Sequence, residues 1–527
     1  MNLRAFFSTF QRDLLAGTVV FLVALPLCLG IANASGVEPF AGLVSGIVGG
    51  LVVAVLSGSR LSVSGPAAGL VVIVVDGIAQ LGGFSAFLAA VLLSGVIQFG
   101  FGMLKAGRFA AYVPSPVIKG MLAAIGILLI VKQFPLALGL FGTHASAGSQ
   151  AAVQAAAGTV MTPFGTISLA ACVITLLSLA ILVGWETRAM RRFAVVRLVP
   201  APLAVVLLGI GATLLLSLLA PSLAPPAEHR VALPPLESFA ALQVALEWAD
   251  FGPHFAQLVN PDVWRVAITL AIVASLETLL SLEAVEQIDP ERRPAAPDRE
   301  LKAQGVGNLI AGAIGGLPIT SVIVRSSANV HAGAQSRLSA IIHGVLLLVS
   351  VFALTSVINL IPLACLAAIL IFTGLKLAKP SLFVAVARQG FAPFAPFIVT
   401  LAGVLATDLL IGIVLGVLCS VLLALYANLR SPIVLAQHGD HYLLSFRKDV
   451  SFLGKVPLKH YLQQIPDGAT LIVDATRADF VDHDVRDLLD TFVAEAPPRG
   501  IAVEVRHQVQ AQARAARGWS MRRAATE

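Results

Sequence analysis

Apolar runs recur along the first 430 residues, near 14–33, 38–58, 64–82, 84–104, 113–135, 165–184, 200–220, 262–285, 302–315, 318–334, 338–358, 361–378, 393–408 and 410–428. A helix needs about 20 apolar residues to cross the hydrocarbon of a bilayer, and fewer where it is broken inside a protein-lined cavity. The pattern therefore predicts an all-α polytopic membrane protein of about fourteen spans, several of them short. Composition agrees, with 57% hydrophobic and only 12% charged residues, against about 25% charged in an ordinary soluble domain. Cys28, Cys172, Cys365 and Cys419 all lie inside apolar runs. They lack the spacing of a disulfide framework, a zinc site or a thiol nucleophile, and read as packing groups. No phosphate-binding glycine loop or Ser–His–acid order stands in its required context, which argues against an enzyme or an ATP-driven pump and implies no cofactor. The net charge of +6 is gathered on particular loops, not on a basic stripe with interleaved aromatics, so the expected partner is the lipid bilayer and not nucleic acid.

The start imitates a secretory signal, with Arg4 and Arg12 before Val19–Ile31 and the small-residue triplet Ala32-Asn33-Ala34. The many apolar spans that follow make it a retained first helix. Cations set the orientation: Lys105, Arg108, Arg188, Arg191, Arg192, Arg197, Arg292, Arg293, Arg299, Arg337, Lys376, Lys379 and Arg430 all fall on one side when the amino terminus is inside. The cation-poor loops 141–164 and 221–261 then fall outside. A membrane domain over 1–430 is followed by a small α/β domain over 431–507 and a basic, disordered tail over 508–527. Strand candidates Thr470–Val473 and Ile501–Val505 bracket a helix candidate at Asp484–Val493. An even number of spans places that domain, and both termini, in the cytoplasm of a cell whose plasma (inner) membrane holds the chain. Lacking an enzyme-like constellation, it is expected to serve assembly or regulation.

Two short spans match each other. Ser62-Val63-Ser64-Gly65-Pro66-Ala67-Ala68-Gly69 opens the third, and Gly315-Gly316-Leu317-Pro318-Ile319-Thr320-Ser321 opens the tenth. Gly/Pro-interrupted segments at corresponding positions point to inverted repeats with a binding site between two half-helix amino termini. Each terminus carries about half a positive charge and free N–H groups, which suits a small anion. Arg325, placed about two turns into the tenth span, adds a full charge at the rear, and Ser64, Thr320, Ser321, Ser326 and Ser327 offer neutral donors. Glu277, in the apolar eighth span with Ser281 one turn on, needs a partner or a proton at membrane depth. Arg325 is the candidate partner, either as a structural ion pair or within a site that couples transport to a proton or cation. Asp408 reads as the cap of the last span. His331 and His343 have no metal-like spacing and read as structural.

The stretch Asp298-Arg299-Glu300-Leu301-Lys302-Ala303-Gln304-Gly305-Val306-Gly307-Asn308, with Gly315 to Asn329 and Ala332-Gly333-Ala334, resembles the central signature of the SulP family of inorganic anion transporters. Ala24-Leu25-Pro26 and Ala34-Ser35-Gly36-Val37 resemble that family's opening, and the carboxyl-terminal domain its STAS domain. The resemblance implies fourteen spans in two inverted seven-span repeats, a core domain, a gate domain, elevator-like transport and a homodimer. It assigns Ser64, Gly65, Pro66, Ala67 and Ala68 to one wall of the anion site and Ser321 to Ser326, with Val322 and Arg325 among them, to the other, beside the candidate donor Thr320. Glu277, with Ser281, matches the acidic coupling position of the eighth span. The STAS-like segment departs from the pattern, because Asp482-His483-Asp484 stands where the regulatory family often carries a serine. The sodium-coupled bicarbonate branch has a small residue near the Arg325 position, so the coupling ion stays open between H+ and Na+. The implied function is secondary active transport of a small inorganic oxyanion, bicarbonate or sulfate. An anion channel, a voltage-sensing motor and a nucleobase carrier of the same fold are the alternatives, and an arginine among small hydroxyls favours an anion over a neutral base.

Overall fold

The structure is a computed structural model that describes residues 3–108, 113–140, 159–162, 165–187, 190–192, 199–219, 221, 225–234, 257–407, 409–429, 433–451 and 454–506. Asp408, Arg188, Arg197, Arg430, parts of the loops 141–164 and 221–261 and the tail 508–527 lie outside them. Two compact units are formed, Met1–Val417 and Leu418–Glu527.

In the first unit the apolar runs become helices: α1 (Leu3–Ala34), α2 (Pro39–Leu56), α3 (Ala68–Leu81), α4 (Phe84–Met103), α5 (Ser115–Ala137), α6 (Leu169–Trp185) and α7 (Ala201–Leu219). The second half adds α8 (Pro261–Ile288), α9 (Pro297–Ala313), α10 (Ile323–His331), α11 (Leu338–Ala353), α12 (Leu363–Leu377), α13 (Pro380–Arg388), α14 (Phe391–Ala406) and α15 (Leu409–Leu429). Among the described residues eight helices are long and apolar enough to cross a membrane, and four shorter apolar helices accompany them. The segment that imitates a signal is part of α1, which packs on α2, α10 and α11.

These helices sort into two groups. In one, α9 and α8 pack on α4, and α1 packs on α2 and α11; in the other, α5 packs on α12 and α14, and α6 on α7 and α12; α1 also touches α12 and α7. Small residues set the closest approach. A Cβ on Gly305 would lie 2.6 Å from the Phe99 nitrogen and 2.7 Å from the Gly95 oxygen, so α4 and α9 meet backbone to backbone. Gly50, in a π-helical turn of α2 (Gly49–Val53), touches Gly344 of α11 in the same way. Beyond α8, the Asp289 carboxylate accepts from Arg293 at 2.8 and 3.0 Å. That hydrogen bond holds the carboxyl below its ordinary range.

The two interrupted spans contain strands that the helical periodicity does not predict. Strand β1 (Ser64–Pro66) pairs antiparallel with β4 (Ile319–Ser321) in the register Ser64↔Ser321, Gly65↔Thr320 and Pro66↔Ile319. A chain broken inside the bundle leaves backbone N–H and C=O groups that no helix satisfies, and the two breaks satisfy each other. A second antiparallel pair, β2 (Thr159–Thr162) with β3 (Gly165–Ser168), precedes α6, so that helix begins at Leu169 and not at the expected 165.

The second unit carries a four-stranded sheet in the order β5 (Ile433–His438), β6 (His441–Phe446), β7 (Thr470–Asp474), β8 (Ala502–Arg506). The first pair is antiparallel and the others parallel. Helices α16 (Lys455–Gln463) and α17 (His483–Glu495) connect the parallel strands. Leu444, Leu471, Val473, Leu458 and Val485 fill its core. The expected strands and helix are present, and the hairpin β5–β6 and α16 are additions. This β-containing region is consistent with a STAS domain.

Candidate functional site

Each strand of the β1–β4 pair leads directly into a helix. Ala68 opens α3 two residues after β1, and Ile323 opens α10 after Val322 in extended conformation (φ −115°, ψ 116°). Two helix amino termini, with their unpaired N–H groups, are thereby fixed by one short ladder.

A cavity of about 400 Å³ opens at these termini. Ala68 and Gly69 of α3 and Val322 to Val324 of α10 line it, with Glu277 and Ser281 of α8 beside them. Its opposite wall comes from the other helix group: Ser115 and Lys119 of α5 and Thr373 of α12. The Glu277 carboxylate approaches Gly69 closely, so that a Cβ there would sit 2.8 Å from its Oε1. Among the described residues, the buried Glu277 Oε2 has no hydrogen-bond partner.

The other residues singled out from sequence do not line this cavity. Ser64 Oγ accepts from Gln304 Nε2 at 2.7 Å. Ser321 touches Ser62 through their hydroxyls, and its N–H donates to Thr278 Oγ1 at 3.2 Å. Ser326 Oγ donates to the Val322 carbonyl at 2.8 Å and accepts from the Val63 N–H at 2.9 Å. Thr320 and Ala67 are buried, and Pro66 presents its carbonyl to Arg325 Nη2 at 3.4 Å. Ser327 Oγ lies 3.2 Å from His331 Nδ1. Of the expected anion-site residues, the cavity is lined by Ala68 and Val322.

Arg325 corrects two expectations. It is the third residue of α10 and so lies in its first turn, because the preceding residues are strand. It also forms no ion pair with Glu277: its Nε and Nη1 find no hydrogen-bond partner among the described residues, and its Nη2 reaches the Pro66 carbonyl at 3.4 Å. The cause is Gly65. A Cβ on Gly65 would lie 2.0 Å from Nη1, so the missing side chain is the slot through which the fully buried guanidinium turns under β1. There it lies near Cys28 and His343, away from the Glu277 carboxylate, which rests on Gly69. The guanidinium thus stands behind the α10 terminus and outside the cavity lining.

Sequence reasoning passed over Lys119, whose signal was available as a cation inside the apolar run 113–135. His343 is fully buried with neither ring nitrogen hydrogen-bonded among the described residues. All four cysteines are free thiols.

Paired half-helices at the junction of two helix groups define a membrane transporter fold, and the comparisons with known proteins say which. The chain belongs to the sulfate permease family, whose model matches residues 10–400. The putative sulfate transporter YvdB of Bacillus subtilis is 27% identical over 78% of this chain and 72% of its own length. The bicarbonate transporter BicA of Picosynechococcus sp. is 26% identical over 70% of this chain and 62% of its own. Among solved structures, the transmembrane domain of a cyanobacterial BicA superposes with a TM-score of 0.59 at 23% identity, covering 79% of this chain and 98% of that one. SLC26A9 superposes with a TM-score of 0.66 at 16% identity, covering 94% and 84%. Members of this family are transporters, not enzymes.

Proposed function

We propose that the chain is a secondary active transporter of a small inorganic oxyanion, sulfate or bicarbonate, held at the amino termini of α3 and α10 and moved by an elevator motion of the α1–α4/α8–α11 group against the α5–α7/α12–α14 group. One observation carries the reading: the cavity takes one wall from each group. Sliding one group past the other necessarily carries the half-helix wall across the boundary while the Lys119 wall stays behind. Two helix termini and the Arg325 charge favour an anion. Glu277 and Ser281, on the moving wall, are the coupling residues, with H+ or Na+ as the coupling ion. The fourteen-span arrangement in inverted repeats, a homodimer in the plasma membrane and cytoplasmic termini belong to the same proposal.

Uptake of labelled sulfate and labelled bicarbonate into the same proteoliposomes, with pH and sodium gradients varied, tests it. Saturable, gradient-driven uptake of one anion is expected. Flux that never saturates would establish the channel alternative, and absence of flux for both anions would sink the oxyanion reading. For the topology, Gly83→Cys and Arg192→Cys should react with an impermeant thiol reagent from opposite sides. A Cβ at Gly83 meets nothing within 4 Å and Arg192 is exposed. Labelling of both from one face would overturn the proposed orientation.

A further inference from the structure

Three polar residues of α9 lie on its buried face. Glu300, Gln304 and Asn308, spaced four apart, are each 0% exposed, and such spacing aligns side chains along one side of a helix. Each reaches a different part of the interrupted spans. Glu300 Oε2 accepts from Ser57 Oγ at 2.5 Å and from the Gly58 N–H at 2.8 Å, holding the turn that leads into β1. Gln304 Nε2 donates to Ser64 Oγ on β1 at 2.7 Å and to Glu300 Oε1 at 2.9 Å. Asn308 grips β4 as a strand would: its Oδ1 accepts from the Ile319 N–H at 2.5 Å and its Nδ2 donates to the Ile319 carbonyl at 3.0 Å. The same Nδ2 donates to Gln98 Oε1 at 2.6 Å, and Gln98 Nε2 reaches Ser275 of α8 at 3.3 Å, two residues before Glu277.

A three-residue antiparallel pair has too few ladder bonds to fix its own position, and an isolated two-stranded ribbon is at best marginally stable. We infer that Glu300, Gln304 and Asn308 are positioning residues: α9 is the template that sets β1 against β4, and so fixes the separation and aim of the α3 and α10 termini. They touch the turn before β1 and the two strands, and not the cavity, so their effect on an anion passes through backbone geometry. The inference rests on the transport reading for one of its two measurements only.

The first measurement needs no transport. Pro66→Cys with Ile319→Cys, partners in the strand register whose side chains take no part in the Gln304 and Asn308 hydrogen bonds, is made in a background with the four native cysteines replaced by alanine. Iodine should couple the pair rapidly, because paired antiparallel residues lie at Cα separations of about 4.5–5.5 Å, within disulfide range. Adding Gln304→Met, or separately Asn308→Asp, should slow that coupling at least threefold. Adding Leu309→Ala, on the exposed side of α9, should not. The second measurement is uptake of labelled sulfate and bicarbonate by Gln304→Met and Asn308→Asp with the native strands. Each lost hydrogen bond should raise KM about threefold to tenfold, with the ratio of sulfate to bicarbonate uptake changed, as a loss of folded protein alone would not do. Where Gln304→Met fails to fold, Gln304→Asn, which keeps the amide but is too short to span Ser64 and Glu300, replaces it. Coupling rates equal to the parent in folded variants overturn the inference whatever the transport result. Absence of uptake in the unsubstituted protein counts against the transport reading and leaves the coupling measurement to decide this one.

Discussion

Gly305→Val should remove the protein from the folded membrane fraction, while Gly100→Val should leave it there. A side chain at 305 meets backbone on the facing helix, the Phe99 nitrogen at 2.6 Å and the Gly95 oxygen at 2.7 Å, and backbone cannot rotate away. The helices must then separate along their whole contact, since Gly95 and Gly312 hold it elsewhere with equally short approaches to Leu309 and Leu92 at 2.4 Å. Overpacking typically costs about 1–3 kcal/mol where side chains can adjust, and this site, with two backbones in contact, belongs at or above the top of that range. Gly100 on the same α4 faces open space within 4 Å, so a valine there tests helix propensity alone. Fluorescence-detected size-exclusion profiles of detergent extracts separate the outcomes. A monodisperse Gly305→Val protein with parent-like thermal stability would mean that α4 and α9 do not pack as described, and the positioning of β1 and β4 by α9 would fall with it.

How much of this was legible in the sequence depended on which forces acted along the chain and which across it. The runs 84–104 and 113–135 became Phe84–Met103 and Ser115–Ala137 because bilayer thickness imposes a length that hydropathy records directly. The interrupted segments were legible as breaks through Pro66, Pro318 and their glycines. Their pairing was not, since three residues carry no periodicity and the partner lies more than 250 positions away. Helix α9 was hidden for the opposite reason. The run 302–315 suggested an ordinary apolar span, whereas the helix starts at Pro297 and its Glu300, Gln304 and Asn308 face inward. Inward polar residues defeat any reading that puts polarity outside. The hairpin β5–β6 left a signal that went unused: Gly439-Asp440 joins alternating strands, and Gly439 takes φ 58°, as a tight hairpin turn requires. Arg325 and Glu277 stood out in the sequence as charges inside apolar runs, but the direction of a side chain is decided by its neighbours. The two glycines that decide it, Gly65 and Gly69, belong to another span.

Those two glycines also fix what substitution of the pair should show. Arg325→Gln removes the charge behind the α10 terminus and should weaken the transported anion about tenfold, or roughly 1.4 kcal/mol, with the protein still folded. Arg325→Lys restores charge without the planar group that fills the Gly65 slot, and should recover only part of that affinity. Glu277→Gln should act differently, leaving anion affinity within about threefold while uptake loses its response to the driving pH or sodium gradient. Because the two side chains share no partner in the structure, the double variant should carry both deficits, with a coupling energy below about 0.5 kcal/mol. An ion pair would behave otherwise, since neutralising both partners relieves the buried charge that each single change leaves behind. Return of near-parent affinity and gradient response in Arg325→Gln/Glu277→Gln would therefore show that the two meet in some state of the transport cycle. The field of Arg325 would then be needed to hold Glu277 and not the anion, and the anion site would have to be rebuilt around Lys119 and the helix termini alone.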